Sequence, residues 1–247
     1  MELSDNEKTL ANYLSEFPMN HSVPVYFGNP LSVDSDINNG TATLLKRNNR
    51  LYAITNHHVI NGYLSRCEKE DGISLMIGGY YVKNILEHIA FNNKEFDICV
   101  LEFTGQKEDD FRMQGNVPTK FYELGKTEKT VKKGAVVAFG GYPGVFRVRK
   151  STNQVEFHTL SSGASVVKEI SDRNIIVSIN HEKSAITTLT DVEPPSNIGG
   201  MSGGPVFEIS KEGSITMFRF CGIIAECNDN YKVMFAKPVS LFASVIR

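Results

Sequence analysis

The chain reads as a mostly β protein that begins with one short helix. Two features carry this: short apolar runs of strand length broken by glycine, proline and polar turns, and helical periodicity confined to the amino-terminal stretch. Its 247 residues, 41% of them hydrophobic, are enough to bury a sizeable core.

In chain order, Ser4-Asp5-Asn6-Glu7 forms a capping box, and Leu10, Tyr13, Leu14 and Phe17 recur at helical spacing. These predict an amphipathic helix over residues 5–16, packed on the outside of the β core. Residues 41–46 read as a strand, Arg47 to Arg50 as a polar turn and Leu51 to Thr55 as the returning strand, so the hairpin ends at Asn56-His57-His58-Val59-Ile60. Phe96-Asp97-Ile98-Cys99-Val100-Leu101-Glu102-Phe103 reads as an apolar strand with an acid embedded in it. A buried carboxylate without a partner is costly, and a histidine N–H would satisfy it. Residues 104–120 read as a polar connection with room for a short helix.

Composition excludes several classes. A net charge of −2 argues against nucleic-acid binding, and the local run Arg147-Val148-Arg149-Lys150 reads as the exposed face of a strand or hairpin. No stretch is apolar enough to span a membrane, and the amino terminus lacks the basic start and apolar core of a secretion signal, so a cytoplasmic location is expected. Cys67, Cys99, Cys221 and Cys227 fit no zinc pattern and read as reduced core thiols, with a Cys221–Cys227 disulfide as the alternative. No metal and no cofactor is expected.

The segment richest in chemical information is Gly199-Gly200-Met201-Ser202-Gly203-Gly204-Pro205. The glycines leave the Ser202 hydroxyl unshielded and let backbone N–H groups turn toward it, as a site for a developing oxyanion requires. Gly200-Met201-Ser202-Gly203-Gly204 also satisfies the nucleophile-elbow pattern, but that arrangement needs a histidine after the serine and a helix directly behind it. The last histidine is His181, and Gly203-Gly204-Pro205 is a poor start for a helix, which leaves the order histidine, acid, serine.

Ile54-Thr55-Asn56-His57-His58-Val59, Asp97-Ile98-Cys99-Val100-Leu101 and Gly200-Met201-Ser202-Gly203-Gly204-Pro205 resemble the three catalytic blocks of trypsin-like, chymotrypsin-fold serine peptidases. The likeness is closest to the bacterial quality-control branch, whose base lies in a block like Thr55-Asn56-x-His58-Val59. Leu124-Gly125 and Lys133 through Gly144 resemble the opening of the second barrel, and Phe235-Ala236-Lys237-Pro238 its closing strand. The resemblance spans roughly residues 22–247. It implies an all-β fold of two six-stranded antiparallel barrels with a short amino-terminal helix: a helical extension over 1–20, a first barrel over 21–120 carrying His58 and Asp97, and a second over 121–247 carrying Ser202.

The resemblance further implies that His58 is the general base, Asp97 the residue that orients it, Ser202 the nucleophile, and the N–H groups of Gly200 and Ser202 the oxyanion hole. His58 is preferred over His57 because it alone holds the motif position. The implied substrate is a protein or peptide, whose bond is cleaved through an acyl-enzyme. Met201 stands where the digestive members carry the aspartate that pairs with a freed amino terminus, so activation by such cleavage is not expected. The segment beyond Ser202 is long enough to finish a barrel, and no appended peptide-binding domain is expected. The substrate pocket falls to Ser196, Ile198, Ala225, Glu226 and Cys227; Ser196 replaces the acid that selects basic side chains, so a small or apolar residue is expected at the cleavage point. Two glycines in the oxyanion loop also allow a latent enzyme whose Gly200 N–H turns inward only on binding an activating protein partner. A catalytically silent binding module on the same fold is the alternative.

Overall fold

The computed structural model of the protein describes residues 5–32, 35–113, 118–125, 130–151, 154–179, 186–188, 198–228 and 232–247. The predicted helix is α1 (Asp5–Asn20), one turn longer than its periodicity suggested; Ser4 of the capping box lies outside the described residues. As expected it packs on the outside of the β core. Phe17 stacks on Phe218 at 3.7 Å between ring centroids and meets Phe207 edge-on at 5.1 Å, while Met19 is buried.

The chain then builds a first sheet from β1 (Ser22–Gly28), β2 (Asn38–Arg47), β3 (Arg50–Thr55), β4 (Ser74–Ile77), β5 (Tyr80–Val82), β6 (Ile89–Asn93) and β7 (Ile98–Phe103), in the order β5-β4-β1-β2-β3-β7-β6. The predicted hairpin is β2–β3, with Leu44 opposite Ala53 and Leu45 opposite Tyr52. A helix that local sequence did not announce, α2 (His57–Cys67), follows β3 directly. Residues Glu108–Phe111 form a single 3-10 turn in the polar connection.

This first sheet is a half-barrel, and β5 and β6 are not paired with each other among the described residues. The 3-10 turn fills the open side. Gly79 N–H donates to the Phe111 carbonyl at 3.1 Å, and the Phe111 ring is fully buried against Tyr80 and Phe103. The stretch around Leu124, expected to open the second barrel, instead adds β8 (Tyr122–Glu123) in parallel to β2, because Tyr122 and Leu124 reach the apolar layer between the sheets.

The second sheet closes fully. From β9 (Val136–Gly141) the chain makes a separate hairpin, β10 (Arg147–Ser151) with β11 (Gln154–Phe157), which accounts for the Arg147–Lys150 run. It then adds β12 (Leu160–Ile170), β13 (Ile175–Ser178), β14 (Ile186–Thr188), β15 (Pro205–Glu212), β16 (Ile215–Asn228) and β17 (Val233–Pro238). Pairing runs β9-β12-β13-β17-β16-β15 and back to β9, a closed ring of six antiparallel strands, with β14 on the side of β12. The two units make a chymotrypsin-like double barrel.

Period-two alternation explains why β3 and β7 read as unbroken apolar runs. Leu51, Ala53, Cys99, Leu101 and Phe103 face the interior of the first sheet. Tyr52, Ile54, Ile98 and Val100 face the second, where they meet Phe207, Phe220, Ile223 and Phe242. The end of β3 lies beside the start of β7, with Thr55 opposite Cys99, so His58 and Asp97 emerge from neighbouring strand ends. No disulfide links the four cysteines, so the disulfide alternative is not realised; Cys67 is exposed rather than in the core, because α2 carries it on its outer face. Among the described residues no helix is long and apolar enough to cross a membrane.

Candidate active site

Asn56 precedes the first turn of α2 but does not cap it with its own side chain. Its Nδ2 instead donates to the Asp97 carbonyl at 2.8 Å and to Asp97 Oδ2 at 3.2 Å. Asp97 is not embedded in the strand, as the apolar run suggested. It stands in the turn just before β7 with φ of 54°, a left-handed conformation that aspartate and asparagine tolerate better than most residues. That backbone turns the carboxylate back onto α2. Oδ1 accepts the His58 backbone N–H at 3.0 Å, and Oδ2 accepts from His58 Nδ1 at 2.8 Å.

One carboxylate thus does two jobs. It takes an orphan N–H of the helix's first turn, where the helix dipole favours a negative charge, and it orients the imidazole. Burial raises the Asp97 pKa, but the hydrogen bonds from the His58 ring and backbone, with the charge of both histidines, outweigh it and hold the acid below its ordinary value. With Nδ1 donating to Asp97, Nε2 is the basic nitrogen of the neutral His58 ring. His57 is engaged elsewhere, its Nδ1 2.7 Å from Asn92 Oδ1 on β6.

Ser202 lies opposite, in the loop entering β15. A cleft of about 480 Å³ brings His58, Asp97 and Ser202 together with Ile198, Ala225, Glu226 and Cys227. Ser196 falls outside the described residues. The Ser202 hydroxyl donates to the Ala225 carbonyl at 3.2 Å and not to His58. Gly200 and Gly203 have φ of 101° and 92°, and a Cβ on Gly203 would stand 2.0 Å from the Thr41 carbonyl, so both positions require glycine.

The Gly199 carbonyl accepts the Gly144 N–H at 2.6 Å. Because a trans peptide points its C=O and N–H in opposite directions, the Gly200 N–H faces away from Gly144. Among the described residues, no carbonyl accepts the N–H of Gly200 or of Ser202. Met201 is fully buried among second-barrel core residues, where a thioether fits and a carboxylate would need a partner. Cys99 is fully buried, and burial pushes its thiol up to about 12, which removes it as a nucleophile near neutral pH.

Sequence reasoning missed three contributors. Asn56 braces Asp97, and its signal was present in the Thr55-Asn56-x-His58-Val59 block. Lys237 lines the cleft with its Nζ donating to Asn174 Oδ1 at 2.8 Å, and only the pairing of β16 with β17 brings it there. Thr41 contacts the glycine loop; its signal was the alternation of Thr41 and Thr43 with Ala42 and Leu44 in β2.

Residues 40–215 match the family described as the trypsin-like peptidase domain. Among solved structures the chain is similar to the active form of the Rv3671c protease from M. tuberculosis, with 14% identity over 94% of this chain and 82% of that one and a TM-score of 0.45. It is also similar to Deg5, with 15% identity over 99% of this chain and 95% of that one and a TM-score of 0.48. No curated protein matches the chain.

Proposed function

Because this chain belongs to the trypsin-like peptidase family, we propose that it is a serine endopeptidase working through His58, Asp97 and Ser202. The observation that carries the reading is the double grip of the Asp97 carboxylate on His58, through Nδ1 and the backbone N–H, across one cleft from Ser202. Rotation of the Ser202 side chain from the Ala225 carbonyl toward Nε2 starts the reaction. Ser202 Oγ attacks the substrate carbonyl as His58 Nε2 takes its proton, and the carbonyl oxygen, now anionic, accepts from the N–H groups of Gly200 and Ser202. His58 returns the proton to the departing amine. Water, deprotonated by His58, then releases the acyl group and restores Ser202. Asp97 remains ionised and stabilises the imidazolium. Ile198 and Ala225 suit a small or apolar side chain beside the cleaved bond, with the exposed Glu226 at the rim.

The second reading, a silent binding module, draws on the Ser202 hydroxyl being held by Ala225 rather than by His58. Labelling with a fluorophosphonate serine probe, read by intact mass and peptide mapping, separates the two. The peptidase reading expects modification of Ser202, none in Ser202→Ala, a loss of roughly a thousandfold or more in His58→Ala and little change in His57→Ala. An unlabelled wild-type chain in buffer and in cell extract alike supports the silent module. Labelling that rises on adding extract supports a latent peptidase with an activating partner.

A further inference from the structure

We infer that the buried hydroxyl of Thr41 is the positioning group that sets the Gly200 peptide, and with it the donor pair that would receive the substrate oxygen. This rests on the peptidase reading above. Gly200 has no Cβ and a φ of 101°, so its own backbone has little preference for where its two peptides point. Two hydrogen bonds decide it. On the amino side the Gly144 N–H holds the Gly199 carbonyl at 2.6 Å; on the carboxyl side Thr41 Oγ1 donates to the Gly200 carbonyl at 2.8 Å.

The neighbouring carbonyls are held as well. Met201 accepts the Gly204 N–H at 2.9 Å, Ser202 accepts the Thr41 N–H at 2.8 Å, and Gly203 accepts the Thr43 hydroxyl at 2.8 Å. Five consecutive carbonyls, from Gly199 to Gly203, are thereby occupied, and among the described residues no carbonyl takes the N–H groups of Gly200 and Ser202, which are left for a ligand. Thr41 supplies two of the five bonds, and its hydroxyl also accepts the Tyr142 N–H at 3.0 Å.

The strand register explains how one residue reaches so much of the loop. Thr43 pairs with Ile54, so β2 has run past the end of β3 by Thr41, and the loop at Ser202 takes the vacated hydrogen-bonding edge. The Thr55 hydroxyl donates to the Thr41 carbonyl at 2.7 Å and fixes the strand at that point. Thr41, Thr43 and Thr55 are all fully buried, so water cannot replace these donors in place.

The test compares Thr41→Val, which keeps the shape and removes the hydroxyl, with Thr41→Ser, which keeps the hydroxyl and removes the methyl. The readout is the saturation kinetics of fluorophosphonate labelling at Ser202, with melting temperatures recorded in parallel. A misplaced donor costs on the order of 10²-fold in rate, so Thr41→Val is expected to lower the maximal labelling rate by roughly ten- to a hundredfold with the half-saturating probe concentration little changed. Thr41→Ser is expected to stay within about threefold of wild type. If Thr41→Val does not fold, Thr41→Ala against Thr41→Ser makes the same comparison.

A merely structural threonine gives the reverse order, with Val the better replacement, and that order overturns the inference. Equal labelling of the hydroxyl-bearing and hydroxyl-free variants overturns it too. In both cases the wild type still labels at Ser202, so the peptidase reading survives. A wild type that never labels removes both.

Discussion

Replacing Asp97 with asparagine separates the two jobs of this carboxylate. Its Oδ1 takes the His58 backbone N–H, and its Oδ2 takes both the His58 ring and the Asn56 amide. Asparagine keeps one acceptor oxygen, which still serves the helix N–H, and it tolerates the left-handed φ of 54°. Its NH₂ group, however, faces two donors. His58 must then move its proton to Nε2 to restore a hydrogen bond at Nδ1, which leaves no base for Ser202. Labelling should fall about 10⁴-fold.

Stability should change far less. A hydrogen bond to a charged group contributes about 1.5–3 kcal/mol, and partial exposure of this side chain places the loss near the lower end, at about 1.5 kcal/mol. For a chain of this size that is roughly 3–6 °C in melting temperature. Asp97→Ala also loses the helix cap and the tolerance of left-handed backbone, each about 1 kcal/mol, and should melt several degrees lower again. Activity should therefore rank aspartate far above asparagine and alanine together, while stability steps down through all three.

The pH dependence has a definite sign. An acid whose folded pKa is depressed stabilises the fold above its ordinary value and loses that contribution as pH falls through the folded one. The melting difference between wild type and Asp97→Asn should hold steady above about pH 4 and close below it. Labelling of Asp97→Asn within tenfold of wild type would refute the tautomer argument, and equal melting of the asparagine and alanine variants would refute the cap.

Alkylation with iodoacetamide near pH 8 should modify the exposed Cys67 and spare the buried Cys99, whose thiol is pushed up to about 12, with fluorophosphonate labelling unchanged; inactivation tracking modification of Cys99 would contradict its burial. Met19→Ala, which empties a buried site where α1 meets the second barrel, should cost roughly 2–4 kcal/mol by chemical denaturation, and a loss under about 0.5 kcal/mol would mean that α1 is not docked. His21 is buried beside Phe17, Tyr122 and Phe207 with Nδ1 2.9 Å from the Lys120 carbonyl, and burial lowers its pKa more than that hydrogen bond raises it. Below about pH 6.5 the unfolded chain takes a proton that the folded one resists, so stability should fall with pH there and His21→Gln should flatten the slope; identical slopes would sink the argument.

Much of the candidate site was legible in residue order. His58 before Val59, the acid at Asp97 and the glycines around Ser202 are recognisable because reactive groups need particular side chains next to particular backbone freedoms, and both are local properties. The apolar character of residues 98–103 is likewise local, although its cause, burial on both faces at the seam, is not. Helix α2 escaped notice because its Val59, Ile60, Asn61 and Gly62 oppose a helix on propensity alone. It stands because Val59 and Ile60 are buried and a carboxylate 39 residues away takes an N–H of its first turn.

The rest was decided by docking one sheet against the other. The half-barrel depends on Phe111 filling its open side, and no periodicity announces that. Which hydroxyl meets the Gly200 carbonyl depends on β2 outrunning β3, and the two partners are separated by 159 residues of chain. The kinds of groups at work follow from sequence, because chemistry belongs to side chains. Their distances, the hold of Ala225 on Ser202 and the N–H groups of Gly200 and Ser202, unclaimed among the described residues, exist only once strand register and inter-sheet packing bring distant segments within hydrogen-bond reach.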